Sequence, residues 1–208
     1  MGSENTLGIK RTLKRESFSR KRDIGISIAL MIIMVYLVTV LSGAGILEGF
    51  DSYFSFIYVI VVDFLLLLNI VKVLSEEKIS FEVEGDKLKI GGGYIDSGYI
   101  VPMDRILYVD AISDKRGDFN VLIVTKAGGR RKYKPLTENV VKKNTYLRTT
   151  YSEVKHLYGD ESLNYLEIKK SGSRKYYLLY AMYKSQYNIN FSKSAIEHIK
   201  KFMVEYKL

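Results

Sequence analysis

The sequence predicts a membrane protein in two parts: a two-helix transmembrane hairpin, then a cytoplasmic α+β domain. That domain should hold about seven short antiparallel strands, an inserted helix and a C-terminal capping helix. Three observations carry the prediction. Two long runs near the amino terminus are almost free of charge. Beyond Leu74 the chain turns to short segments rich in β-branched and aromatic residues and punctuated by glycine. The carboxyl end then places apolar side chains at helical spacing.

The first run, "IGISIALMIIMVYLVTVLSGAGIL" (Ile24 to Leu47), has no charged residue, and the second, Phe54 to Leu74, carries only Asp63 and Lys72. A helix needs roughly 20 apolar residues to cross a hydrocarbon core of about 30 Å, and both runs reach that length. A cleaved signal peptide would have an apolar core of only about 7–15 residues before its cleavage site, and no second run would follow at once. A soluble pair of helices apolar on every side would need a far larger protein to cover it. The opening "MGSENT" matches a myristoylation pattern and reads as a chance match or a cloning remnant.

Flanking charge sets the orientation. Lys10, Arg11, Lys14, Arg15, Arg20, Lys21 and Arg22 precede the first span, while the connection Glu48 to Tyr53 has no basic residue. The positive-inside rule keeps the N-terminus in the cytoplasm and the short loop outside, so two spans return the chain to the cytoplasm. Tyr53, Phe54, Phe56 and Tyr58 suit the headgroup level at the outer end of the second span. The organisation expected is a basic segment at 1–23, spans at 24–47 and 54–74 joined by a loop at 48–53, and a cytoplasmic domain at 75–208. Both termini of this multi-pass protein should be cytoplasmic.

Asp63 falls midway along the second span, where an acid is expensive unless it is paired. In an antiparallel hairpin, Leu37 and Val38 lie at the same depth, which makes Tyr36 and Thr39 the expected donors. Asn69 adds a polar group nearer the cytoplasm. Polar side chains can bridge membrane helices, so Asp63 marks a packing interface within the hairpin or to another subunit.

In the domain, "ISFEVEGDKLKIGGG" reads as two strands around the turn Glu84-Gly85-Asp86. "SGYIVPMDRILYVDAIS" gives a third extended segment that Pro102 bends or places at an edge. "NVLIVTKAGGRRKYKPL" reads as a hairpin turning at Gly128-Gly129, with a basic returning strand. "LNYLEIKKSGSRKYYLLYAMY" repeats that design around Ser171-Gly172-Ser173. Between the hairpins, Thr137 to Tyr158 lacks strand alternation and should be mostly helical, within an insertion spanning about 136–162. In "FSKSAIEHIKKFMVEY", Ser194 and Glu197 have capping-box spacing. Ile196, Ile199, Phe202, Met203 and Tyr206 form one apolar face.

The outline of a strand, an acidic turn, a short strand ending in glycine, then Val101-Pro102-Met103-Asp104-Arg105-Ile106 and Val109 resembles the bacterial pleckstrin-homology-like membrane proteins. The resemblance covers roughly residues 75–134, with the hairpin before and the helix after. The segment 136–162 departs from it. It implies an inner-membrane location, a PH-like fold and homo- or hetero-oligomers with another membrane protein. It does not carry over headgroup specificity. Eukaryotic relatives of this fold hold phosphoinositides with basic residues at the first hairpin, where this chain has Glu84 and Asp86.

No catalytic constellation emerges, so a non-enzymatic role without cofactor, metal or small-molecule substrate is expected. Cysteine is absent, which removes disulfides and thiolate metal sites. His198 lies beside the apolar stripe, and His156 has no metal-ligand partner at suitable spacing. Gly91 to Gly93 lacks a phosphate-loop frame and reads as a turn or bulge. Asp104, Asp110, Asp114 and Asp118 read as solvated strand ends. Residues 75–208 hold 24 Lys/Arg against 17 Asp/Glu, and two clusters concentrate the excess. Arg130, Arg131, Lys132 and Lys134 share one hairpin arm, and Lys169, Lys170, Arg174 and Lys175 surround the other tip. Under an anionic leaflet each exposed basic residue contributes about 1 kcal/mol. Nucleic-acid binding is not expected, because core packing accounts for many of the tyrosines. The function expected is a membrane-anchored scaffold or adaptor whose domain binds protein partners or the anionic lipid surface. The rival is an accessory subunit of a transporter or channel, with Asp63 in a polar pathway.

Overall fold

The structure is a computed structural model that describes residues 8–77, 80–92, 98–113, 118–126, 133–159, 161–169, 172–185 and 187–208. Its contacts divide the chain into two units. The α+β domain takes in the start of the first helix, up to Leu13, and the rest of the two long helices forms the second unit.

Helix α1 runs from Ile9 to Gly43 and α2 from Phe50 to Glu77. At about 1.5 Å per residue, α1 is on the order of 50 Å long, so the helix takes in the basic residues that precede its apolar run. It stops where Gly45 adopts a left-handed φ of 70° and the Ile46 amide donates to the Leu41 carbonyl at 3.0 Å. A glycine supplies that conformation without a Cβ penalty. The Ser42 and Ser52 hydroxyls, 3.0 Å apart, tie the facing helix ends. Both helices are long and apolar enough to cross a membrane. Only 11% and 6% of their most apolar stretches are buried within the chain.

The domain contains two sheets. Strands β1 (Phe81–Glu84), β2 (Lys87–Ile90) and β3 (Tyr99–Pro102) form an antiparallel sheet in that order. Gly85 turns β1 into β2 with a φ of 59°, as expected for the acidic turn. Pro102 closes the edge strand β3, a place where its missing N–H costs nothing. A single 3-10 turn, Met103–Arg105, leads into β4 (Ile106–Ser113). Gly91 donates its amide to the Ser80 carbonyl, and a Cβ there would meet the Ser80 Oγ at 2.3 Å, so a side chain at this position would require the Ser80 hydroxyl to turn aside.

The second sheet has the order β6-β7-β5-β4-β8, with β5 at Phe119–Lys126, β6 at Lys134–Pro135, β7 at Leu163–Ile168 and β8 at Asn190–Phe191. Its ladders are antiparallel except β4–β8, which is parallel. The turn expected at Gly128-Gly129 and the returning arm up to Lys132 lie outside the described residues, and the short strand β6 that follows them pairs with β7 and not with β5. Apolar β7 takes the interior place, while a two-residue strand containing proline suits an edge. The second expected hairpin does not form: after β7 the chain enters helix α5 (Arg174–Lys184). Lys175, Leu178, Leu179 and Met182 are its buried positions, a helical spacing in which a strand would have buried alternate residues.

Between β6 and β7 lie α3 (Glu138–Lys143), a 3-10 turn (Thr145–Leu147) and α4 (Arg148–Tyr158), so the inserted segment is helical as expected. The closing helix α6 spans Lys193–Tyr206 and buries Ala195, Ile199 and Phe202. Its cap is Ser192, whose Oγ accepts the Ala195 amide at 3.0 Å. Ser194, the expected cap, lies inside the helix and donates to the Ala111 carbonyl at 2.6 Å.

One core joins the three-stranded sheet, α5 and α6 to one face of the larger sheet through Leu88, Val101, Met103, Ile123, Leu178 and Ile199. The opposite face packs Tyr108, Leu122, Val124 and Tyr165 against Leu147 and Val154 of the inserted helices. Cover on both faces explains why β4 and β5 read as nearly unbroken apolar runs. In β4 a register shift between Ile106 and Tyr108 sends Leu107 and Tyr108 to the same core, the effect of a β-bulge.

Candidate functional site

Of the eight basic residues expected at the hairpin tips, Lys134, Lys169, Arg174 and Lys175 are described. Arg130, Arg131, Lys132 and Lys170 lie outside the described residues, as does Asp114. Lys134 is exposed on β6. Lys169 reaches Glu167 at 3.3 Å, and Arg174 is half-buried at the start of α5. Lys175 corrects the expectation: its side chain has no exposure, and its ammonium donates to Asp118 at 2.6 Å and to the Lys169 carbonyl at 3.3 Å. It also lies 5.2 Å from the centre of the Phe119 ring. An unpaired charge there would be costly, and these contacts are what keep it buried.

Phe119 connects this lysine to His198, whose ring stacks on it with centroids 4.1 Å apart, and Tyr176 packs edge-on against both. Burial lowers the His198 pKa below the ordinary histidine value. Lys201 and Lys175 lower it further, against the opposing pull of Glu197 and Asp118. Burial likewise raises the Tyr176 phenol.

On the other face, polar bonds fasten α4 to the sheet. Thr150 and the Ala111 amide both donate to the Asp110 carboxylate. Tyr108 donates to Glu153, and Tyr158 donates to the Leu107 carbonyl at 2.9 Å. Asp110 is therefore a buried hydrogen-bonded group and Asp118 an ion-paired one, where solvated strand ends were expected. Desolvation, then the bond to Glu153, pushes the Tyr108 phenol well above its ordinary range. At the first hairpin, Glu84 pairs with Lys89, and that bond lowers the Glu84 carboxyl and raises the Lys89 ammonium. Among the described residues no three His, Asp or Glu side chains converge as a metal site.

Sequence reasoning missed a contact at the start of α1. The Glu205 carboxylate of α6 accepts the Ile9 amide at 2.5 Å and the Lys10 amide at 2.7 Å. It thereby satisfies orphan donors of the first helical turn. Ser173 donates to the Thr12 hydroxyl at 2.9 Å, and the Lys10 ammonium sits 4.7 Å from the centre of the Tyr206 ring. No local motif pairs residues so distant in sequence.

The domain also carries an aromatic groove of about 780 Å³ between β1, α5 and α6, lined by Glu82, Tyr177, Tyr180, Lys184, Phe202 and Tyr206 among others. Tyr180 and Tyr206 flank Phe202 with ring centroids 5.3 and 4.4 Å away, and Tyr177 is about half exposed.

In the unit of long helices, Met31, Ile32, Val35, Tyr36 and Thr39 line a groove of about 510 Å³ together with Asp63. The structure thus gathers three of the four expected polar residues, and Asn69 is not among the lining. The expected bonds are not made. The Thr39 hydroxyl donates to the Val35 carbonyl at 2.8 Å, and the enclosed Oδ1 of Asp63 has no partner among the described residues.

Comparison with known proteins gives no matching family model, no matching curated protein and no matching solved structure. Fold and site define a chain with two long apolar helices at its amino end and an α+β domain built on antiparallel sheets.

Proposed function

We propose that the protein is a non-enzymatic, membrane-anchored scaffold whose cytoplasmic domain, PH-like in outline, binds a protein partner. One observation carries the reading: two helices long enough to span a bilayer leave nearly all of their most apolar residues exposed. Water would penalise that surface at roughly 25 cal/mol per Å², whereas lipid does not. The resemblance between residues 75–134 and bacterial PH-like membrane proteins supports the outline of the domain. A protein partner fits better than lipid binding through the basic tips. Among the described basic residues, Lys175 is sequestered and Lys169 is engaged by Glu167, whereas the aromatic groove offers exposed tyrosine beside Glu82 and Lys184. Tyrosine is enriched at protein interfaces.

The test is purification of the full-length protein from carbonate-washed membranes in mild detergent. The chain is expected to stay in the washed membrane and to bring a partner that the Tyr177→Ala variant loses. Release of the chain by carbonate sinks the anchor, and equal recovery of the partner with Tyr177→Ala sinks the groove. The rival reading, an accessory transporter subunit, draws on the enclosed oxygen of Asp63. It predicts that Asp63→Asn abolishes ion-dependent activity, whereas the scaffold tolerates it.

A further inference from the structure

We propose that the Asp63 groove is the seat of a second copy of this chain, in which Tyr36 of each copy donates a hydrogen bond to Asp63 of the other. The inference rests on the membrane reading above. Its starting point is an imbalance inside one hairpin. Asp63 offers an enclosed acceptor with no donor, and Tyr36, on the same groove wall, has a hydroxyl with no partner among the described residues. Tyr36 is 66% exposed, so its ring projects outward from its own hairpin. Thr39 does not relieve Asp63, because its hydroxyl is bound to the Val35 carbonyl.

Lipid tails carry no hydrogen-bond donors, so an unsatisfied carboxyl group in the hydrocarbon layer is costly until another protein group reaches it. A second copy has the required chemistry at the required level. Copies inserted with the same orientation are related by a two-fold axis along the membrane normal, and such an axis brings residues of equal depth together. Tyr36 and Asp63 line one groove, and side chains lean toward the amino end of their own helix. In this antiparallel pair the Tyr36 ring and the Asp63 carboxyl therefore lean toward one another's level. An axis that places Tyr36 of one copy on Asp63 of the other makes the reciprocal bond as well. The rest of the lining suits a helix. Met31, Val35 and Thr39 form one i, i+4 row and Ile32 and Tyr36 the next, leaving a furrow between ridges that a facing ridge can enter.

The sequence contains no cysteine, so single cysteines report the interface directly in native membranes. Val35→Cys, on the groove face, is expected to form a disulfide-linked dimer under mild oxidation, and Leu37→Cys, on the opposite side of α1, is expected to remain monomeric. An interhelical hydrogen bond in a membrane contributes about 0.6 kcal/mol on average, so losing two equivalent bonds weakens the dimer about seven-fold. In the Val35→Cys background, Tyr36→Phe and Asp63→Leu should each show that loss, and the double substitution should weaken the dimer no further. A parallel sample of the same membranes is washed with carbonate. A chain found in the wash overturns the membrane reading. A chain retained in the pellet but monomeric, cross-linked to a different protein, or linked most strongly through Leu37→Cys overturns this inference while the anchor stands. Additive losses from the two substitutions overturn the Tyr36–Asp63 pairing.

Discussion

Lys175 and Asp118 illustrate how far a charged residue's role depends on what folds around it. In the sequence Lys175 adjoins Arg174 and reads as part of a basic tip. In the structure its ammonium lies over the Phe119 ring and is held by Asp118. Only the turn from β7 into α5 carries it inward, and no local pattern announces that turn. Removing the acid should cost more than removing the pair's positive member in favour of an apolar side chain. Asp118→Ala is expected to destabilise by about 1–2 kcal/mol, discounted because the Asp118 side chain is 42% exposed and water screens the loss. Lys175→Met should stay within about 1 kcal/mol, since it fills the same space without a charge to satisfy. Thermal unfolding of the detergent-solubilised full chain, followed through tyrosine fluorescence, separates the two. His198 gives the pH dependence of the same region. Its pKa is lower folded than unfolded, mainly through burial. The unfolded chain therefore binds the proton first, and stability is full above about pH 6.5 and falls as the pH drops toward the folded value. The melting temperature should decline between pH 7.5 and 5.5, and His198→Gln should flatten that decline. An unchanged slope in the variant would exclude His198 as its source.

At the level of elements, legibility followed periodicity. The two long helices and α6 were plain because apolar spacing persists over several turns, and β1 and β2 were plain because an acidic glycine turn separates them. Helix α5 was not plain. "RKYYLLYAMYK" is rich in tyrosine, a residue that strands favour, and its buried positions emerge as helical only when the sheet beside them is known. The order of the larger sheet was hidden for a different reason: β7 lies between β5 and β6 although it follows both in sequence. Strand pairing at that separation leaves no local mark. The inserted helices were foreseen, but their fastening was not. Thr150→Val removes a donor from buried Asp110 at nearly constant volume and should cost about 1–3 kcal/mol, with Leu107 and Val109 amides exchanging faster if α4 lifts from β4. Glu205 makes the parallel case for the first turn of α1. Glu205→Ala should cost about 1 kcal/mol and expose the Ile9 and Lys10 amides to hydrogen exchange, leaving α6 amides unaffected. Protection of Ile9 and Lys10 that survives the substitution would show that the carboxylate is not what holds that turn.

For the molecule as a whole, charge and hydropathy speak more directly than any single contact. Seven basic residues precede the first apolar run and none lies in the connection from Glu48 to Tyr53, a bias from which the proposed cytoplasmic placement of the amino end follows. The candidate membrane site was partly legible on the same grounds. An acid in an apolar run announces itself, and antiparallel geometry placed Tyr36 and Thr39 at its level. What could not be read is that neither hydroxyl reaches it, since helix rotation decides which way a side chain projects and composition does not encode that angle. Orientation can be checked residue by residue, because every introduced cysteine is the only one. Glu48→Cys lies in the exposed connection between α1 and α2, and Lys207→Cys at the exposed end of the domain. In intact cells, a maleimide that cannot cross membranes is expected to label Glu48→Cys and to leave Lys207→Cys untouched. After permeabilisation both should react. The reverse pattern would place the domain outside, where neither the basic segment nor a cytoplasmic partner would have its proposed role. Equal labelling of both in intact cells would mean that the two helices do not form a transmembrane hairpin.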